Sequence, residues 1–222
     1  MITFVLISCG RLDLLERTVK SFMKFNTYRI DKYLLIDDSA REDVHVELKK
    51  MFSDWELVFN EKNIGEVASI DKIYSLVNTE YIFHCEDDWE FMDSGFVEKS
   101  LTILGACPDI MQVWISNHNN HPILSSKLFV NGVKYRIVDY AIGTFGLSWN
   151  PGLRKKEAYD KIAPFIQYSK PDERFIGRMP MHYLVATSAE WYAGKALTDM
   201  GYRVAILDKT YCKHIGGGNS IR

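Results

Sequence analysis

Tyr81-Ile82-Phe83-His84-Cys85-Glu86-Asp87-Asp88 is the stretch on which the fold turns, because a largely apolar run ends abruptly in three adjacent carboxylates. Such a run, without polar alternation, is the pattern of a strand buried on both faces of a parallel sheet. Carboxylates crowded at its end repel one another and lose hydration, so something positive must offset them. A divalent metal with oxygen ligands would do so and would bridge a diphosphate at the same time. A solvated acidic turn leading into the next helix is the plainer alternative, and the rest of the chain must decide between them.

Outward from this stretch the pattern repeats. Thr3 to Ser8, Tyr33 to Ile36, Trp55 to Phe59 and Met111 to Ser116 are further short β-rich runs. Between them apolar residues fall at helical spacing, as in Leu12, Leu15, Val19 and Phe22, and again in Val67, Ile70, Ile73, Tyr74 and Val77. Strands alternating with helices predict an α/β fold: a mixed, mostly parallel sheet with helices on both faces. In such sheets chemistry gathers at the carboxyl ends of strands. Those ends read Ser8-Cys9-Gly10-Arg11, Asp37-Asp38-Ser39, Asn60 to Gly65, and Glu86-Asp87-Asp88. Asp37 or Asp38 could accept hydrogen bonds from a base or ribose, or close an Asx-turn. Arg11 could face the same nucleotide or sit on the surface at a helix start. In Lys62-Asn63-Ile64-Gly65 the glycine permits a tight turn, and the following helix end offers N–H groups to an anion.

The second half is less regular. Leu128 to Val130, Asn131-Gly132 and Val133 to Val138 read as a hairpin with a type I′ turn. Thr144 to Trp149 reads as a strand stopped by Asn150-Pro151-Gly152, and helices are expected over Lys155 to Ile162 and Ala189 to Met200. Gln167 to Thr187 reads as a long loop. A last strand, Arg203 to Leu207, leads to Cys212-Lys213-His214-Ile215-Gly216-Gly217-Gly218, the glycines being a flap or a frayed end. Trp149 is the aromatic best placed to stack on a sugar, although aromatics more often fill cores. His118 and His121 flank an Asn-rich loop and read as polar loop residues.

Composition narrows the classes. A length of 222 residues suits one domain. A formal charge of −2 leaves no basic excess for a polyphosphate backbone, which argues against a nucleic-acid partner. No apolar stretch reaches the ~18 residues of a membrane span, and the opening run Ile2 to Ile7 lacks a basic lead and reads as a first strand. Cys9, Cys85, Cys107 and Cys212 form no C-x-x-C pair, so free thiols and a reducing, cytoplasmic setting are expected.

The order strand-C-G-R, strand-I-D-D-S, N-I-G before a helix, then H-C-E-D-D-W-E resembles the GT-A fold of family-2-type nucleotide-sugar glycosyltransferases. The resemblance covers residues 1 to about 95 well and the remainder more loosely. It implies that Arg11 and Asp37 or Asp38 contact the nucleoside, with Ser8, Lys62, Asn63, Gly65 and Asp87 on the same donor-binding rim. It makes Asp88 the principal metal ligand, with Glu86 standing where a first aspartate is usual. His214-Ile215-Gly216 resembles a late element that faces the metal or diphosphate, and an imidazole ligand favours manganese somewhat over magnesium. Glu190 opens an expected helix where this fold often places its base, with Asp172 and Glu173 as alternatives. A first-turn acid serving the helix dipole explains Glu190 equally well.

The implied activity is metal-dependent, inverting transfer of a sugar from a nucleoside diphosphate donor, a UDP-sugar foremost, to a glycan or other hydroxyl acceptor. Residues 1–95 would form the donor half, and 96–222 the acceptor half and tail of one domain. Two alternatives stand beside it: a catalytically silent nucleotide- or carbohydrate-binding module, and a nucleotidyltransferase. The latter would prefer a glycine-rich basic loop after the first strand, where Ser8 to Arg11 has one glycine.

Overall fold

The computed structural model describes residues 1–116, 126–138, 146–171, 176 and 181–217, without the side chains of 182 and 183. The first half alternates as β1 (Ile2–Ser8), α1 (Leu12–Phe25), β2 (Lys32–Asp37), α2 (Glu42–Met51), β3 (Glu56–Phe59), α3 (Glu66–Tyr74) and β4 (Tyr81–Glu86). Then come β5 (Trp89–Phe91), α4 (Phe96–Ala106), β6 (Ile110–Trp114), β7 (Leu128–Val130), β8 (Val133–Ile137) and β9 (Gly152–Lys155). The chain continues with α5 (Lys156–Ile162), a 3-10 turn at Phe165–Tyr168, α6 (Met181–Asp199), β10 (Arg203–Leu207) and β11 (Cys212–His214).

Among the described residues nine strands make one sheet in the order β3-β2-β1-β4-β9-β6-β10-β8-β7. β3, β2, β1 and β4 are parallel, β9 runs against both β4 and β6, β10 is parallel to β6, and β8 runs against β10 and β7. Among the described residues seven strands therefore point one way and β8 and β9 the other, the mixed, mostly parallel sheet that the sequence predicts. All seven residues of β1 are buried. Phe4 and Leu6 face α1, α2 and α4, whereas Val5 and Ile7 face α3, α5 and α6. Phe22 of α1 locks the first face, with ring centroids 4.2 Å from Phe4, 5.2 Å from Phe91 and 6.0 Å from Phe96. Each such ring contributes roughly 1.5–3 kcal/mol when fully buried. The hairpin also forms as read, with positive φ at Asn131 and Gly132.

Two readings are corrected. Residues 144 and 145 lie outside the described residues, and Gly146 to Trp149 form no strand. The strand is β9, beyond the Pro151-Gly152 break, and it slots between β4 and β6. Gly152 allows this, because a Cβ there would lie 2.4 Å from the Val113 carbonyl oxygen. The expected loop ends early: α6 begins at Met181 rather than Ala189. The pairing of β5 with β11, a separate two-stranded ribbon, was not read from the sequence at all. His118 and His121 lie outside the described residues.

Candidate functional site

The strand ends of β1, β2 and β4 meet where the sequence placed them. At the end of β4 the turn is clamped by Thr18 of α1, whose hydroxyl donates to the Asp87 carbonyl (2.8 Å) and accepts from the Trp89 N–H (3.0 Å). This fixes the three carboxylates in three directions. Asp87 is 1% exposed and turns toward β1, accepting from the Ser8 hydroxyl (3.3 Å), the Cys9 N–H (3.4 Å) and the Arg11 guanidinium. Burial pushes its carboxyl up to about 6, against the pull of Arg11. Glu86 accepts from the Trp89 indole (3.3 Å), and burial, then Glu66 and Asp88, hold it well above the usual carboxylate range. Asp88 receives the Arg11 Nη1 at 2.9 Å and the His214 Nε2 at 3.1 Å on one oxygen, Oδ2. Burial opposes its ionisation, but His214 and Arg11 together hold its carboxyl below the usual range. Part of the positive charge that the acidic end demands is thus supplied within the chain by Arg11, and by His214 whenever its imidazole is protonated.

His214 reaches Asp88 because β11 returns antiparallel to β5, pairing His214 with Trp89, and the Ile215 N–H closes onto the Asp88 carbonyl (2.8 Å). The Asp88 hydrogen bond raises the His214 pKa above its ordinary value. Gly216 passes so close that a Cβ would lie 2.4 Å from Asp88 Oδ2 and 3.0 Å from His214 Nε2. The other Asp88 oxygen, Oδ1, is buried and has no hydrogen-bond partner. Among the described residues no three His, Cys, Asp or Glu side chains converge into a ready-made metal cage. The orphaned Oδ1, the adjacent imidazole and the glycine cradle fit a cation that draws its remaining ligands from a diphosphate and water, as magnesium-sized ions commonly do.

The other rim residues behave differently from one another. Asp37 is fully buried and spent on its own turn, accepting from the Gly10 N–H (2.9 Å), the Ser39 N–H (3.0 Å) and the Ser39 hydroxyl. Asp38 lines the cavity but accepts from Asn60 (2.7 Å) and from the N–H groups of Ile64 and Gly65 (2.8 Å each). Two N–H groups ahead of α3 are therefore already occupied by a carboxylate. Asn63 donates to the Asp38 carbonyl (3.0 Å), and Asn63 and Gly65 line the cavity, whereas Lys62 is exposed and does not. Arg11 is drawn onto the carboxylates.

These groups surround one open cavity of about 800 Å³, bounded on one side by Ser8, Arg11, Asp38 and the acidic turn. Its lining also includes Trp149, Met181, Val185 and Glu190. Glu190 lies inside α6 rather than in its first turn, so the helix dipole does not account for it. Its Oε1 accepts the Trp149 N–H at 2.6 Å. Burial, with Glu66 adding, lifts its carboxyl to about 7, against the hydrogen bonds from Trp149 and Ser148 and the charge of Arg154. A carboxyl of that strength on a cavity wall is suited to proton transfer near neutrality. Asp172 and Glu173 lie outside the described residues. Trp149 is 3% exposed and packs edge-on against Phe165, so it lines the wall from within the core. Arg154 beneath this wall was not anticipated, since β9 itself was not. Cys9, Cys85, Cys107 and Cys212 are all free thiols.

A mixed α/β sheet whose acidic strand end is met by a returning tail is the architecture of a GT-A glycosyltransferase. The model of glycosyl transferase family 2 matches residues 3–161, and the chain belongs to that family. No curated protein matches it by sequence. Among solved structures it is similar to the mannosyltransferase PcManGT from Pyrobaculum calidifontis in complex with GDP-Man and Mn2+ (TM-score 0.66, 12% identity, 99% of this chain and 58% of that one). It is also similar to S. aureus TarS 1-349 (TM-score 0.63, 11% identity, 96% and 60%). The complex of TarS 1-349 with UDP-GlcNAc gives a TM-score of 0.60 at 10% identity over 98% of this chain and 61% of that one. The chain thus spans less than two thirds of the length of these structures. No helix among the described residues is long and apolar enough to cross a membrane.

Proposed function

We propose that the chain transfers a sugar, with inversion, from a nucleoside diphosphate donor to a hydroxyl acceptor, a uridine diphosphate sugar being the first donor to test. The observation that carries this reading is the Asp88–His214 pair, with its orphaned carboxylate oxygen and glycine cradle, facing the same cavity as Glu190. GDP-Man and UDP-GlcNAc in the similar structures support a nucleotide-sugar donor, and Mn2+ in one of them supports a divalent cation. Asp88 and His214 would hold that cation, with Glu86 behind them, and the imidazole favours manganese. Bound there, a cation neutralises charge gathering on the departing diphosphate.

The chain's own residues do the rest. Arg11 braces Asp87 and Asp88, so the acidic turn meets the donor already organised. Ser8, Asp38, Asn63 and Gly65 line the side of the cavity next to it and would receive the nucleoside, with Asp37 holding the turn beneath and Lys62 at the outer edge. Glu190, which lines the same cavity, would take the proton of the acceptor hydroxyl as it attacks. Asp172 and Glu173 remain the alternatives for that step. Residues 1–95 thus serve the donor and 96–222 the acceptor, with His214 crossing back to the donor side. The free thiols support a reducing, cytoplasmic setting.

A thermal-shift series with uridine and guanosine diphosphates tests this reading, each with manganese, magnesium or chelator. Ligands that bind only the folded state raise its melting temperature by mass action. Stabilisation that needs the cation is expected. Equal stabilisation in excess chelator would remove the metal from the account.

A further inference from the structure

Arg154 is the least expected charge in the molecule. It stands in β9 at the middle of the nine-stranded sheet, paired with Ile82 on one side and Gln112 on the other, and is 4% exposed. A guanidinium buried there is costly unless its charge is answered nearby. Its neighbour Lys155 reaches the carbonyls of Cys107 and Pro108. Arg154 instead points beneath the cavity wall, its guanidinium carbon 6.0 Å from the ring centroids of both Tyr74 and Trp149. Its Nη2 donates to the Ser148 carbonyl at 2.9 Å, while Nε and Nη1 donate to no carbonyl or carboxylate among the described residues.

The Ser148 carbonyl and the Trp149 N–H are the two ends of one peptide group. At the carbonyl end Arg154 and the Gln112 side-chain amide both donate, each at 2.9 Å. At the other end the N–H donates to Glu190 Oε1 at 2.6 Å. Donors on a carbonyl polarise the peptide and strengthen its N–H as a donor, and the effect grows where the dielectric is low. From this geometry we infer that Arg154 is a positioning residue for Glu190, holding that carboxylate in place and in its charged form through the Ser148–Trp149 peptide. The inference rests on the reading of Glu190 as the base.

Among the described residues, the charges facing Glu190 are Glu66 from α3, Glu86 from β4 and Arg154 from β9. Two are acids that oppose its ionisation, and Arg154 is the counterweight. Without the guanidinium, the peptide loses polarisation and the wall loses its cation together.

The test is an infrared titration of the Glu190 carboxyl in the ligand-free protein, with Glu190→Gln as the spectral reference, beside the pH profile of transfer. Arg154→Met should move the Glu190 midpoint upward by about one pH unit, or about tenfold fewer ionised sites at acid pH. The acid limb of the kcat profile should move with it. Arg154→Lys, which keeps the charge, should restore most of the parent midpoint. Gln112→Leu, which removes the second donor on the same carbonyl and leaves the charge, should give a smaller upward shift. A folded Arg154→Met with the parent midpoint would overturn the inference. If that variant does not fold, Arg154→Gln and Gln112→Leu decide on the same midpoint, and no shift in either overturns it. If Glu190→Gln retains transfer, the base assignment fails, whereas the infrared shift still reports on the Arg154 link.

Discussion

Gly216→Ala adds one methyl group at the closest approach of the tail to the acidic turn. The added Cβ would lie 2.4 Å from Asp88 Oδ2 and 3.0 Å from His214 Nε2, against ordinary contacts of 3.4–4 Å. The overlap with the carboxylate is thus about 1 Å, so either the Asp88 carboxylate turns away or the tail moves off it, and either shift parts Asp88 Oδ2 from His214 Nε2. Overpacking of this kind costs about 1–3 kcal/mol, and here the cost falls on the geometry that brings His214 to Asp88. If that geometry holds the cation, metal-dependent donor affinity should weaken about 5- to 150-fold. The sheet core is remote from the change, so the far-ultraviolet circular dichroism spectrum should be unaltered. Calorimetric titration with uridine or guanosine diphosphate in manganese reads the affinity. Donor binding within twofold of the parent, with Gly216→Ala folded, would refute the assignment of the tail to the site.

Glu190→Gln should bind donor as the parent does and lose transfer by about 10²–10⁴-fold, because only proton removal from the acceptor is disabled; parallel binding and transfer assays check this. With the Glu190 carboxyl at about 7, kcat should rise as pH climbs through neutrality, and Glu190→Gln should abolish that limb. The same shift fixes a stability effect. Folding raises this carboxyl above its ordinary 4.5, so its contribution is full below pH 4.5 and is lost as pH rises toward about 7, which paired melting curves of parent and Glu190→Gln will read as a difference. Arg11→Met leaves Asp87 buried without its cation and should destabilise the fold by about 3–5 kcal/mol, measured by urea unfolding.

The parts of the fold legible in the sequence are those with a local signature. β1, β2 and β4 are covered on both faces, so their apolar runs stand out and their polar ends mark the cavity. β9 was not legible because Arg154 and Lys155 break the apolar run, and the carbonyls that they reach, those of Ser148, Cys107 and Pro108, all lie outside the strand. The β5–β11 ribbon has three residues per strand and joins distant parts of the chain, although Trp89 and Phe91 buried around Glu90 carry a faint alternation. At the site, Asp88 and His214, read from the sequence as ligands of one cation, lie side by side in the structure, yet nothing in the sequence showed that Arg11 would brace the acidic turn. Asp37 illustrates the opposite limit: an Asx-turn and a nucleoside contact look alike in sequence, and the structure spends its oxygens on Gly10 and Ser39.

The most direct measurement is calorimetric titration of Asp88→Asn beside the parent, with manganese and a nucleoside diphosphate added together and separately. Asparagine keeps the size of the side chain and removes the charge that a hard cation requires. The account predicts that the parent binds the diphosphate tightly only with manganese present, and that Asp88→Asn loses this dependence along with at least tenfold in affinity. Parent-like, manganese-dependent binding by folded Asp88→Asn would contradict it.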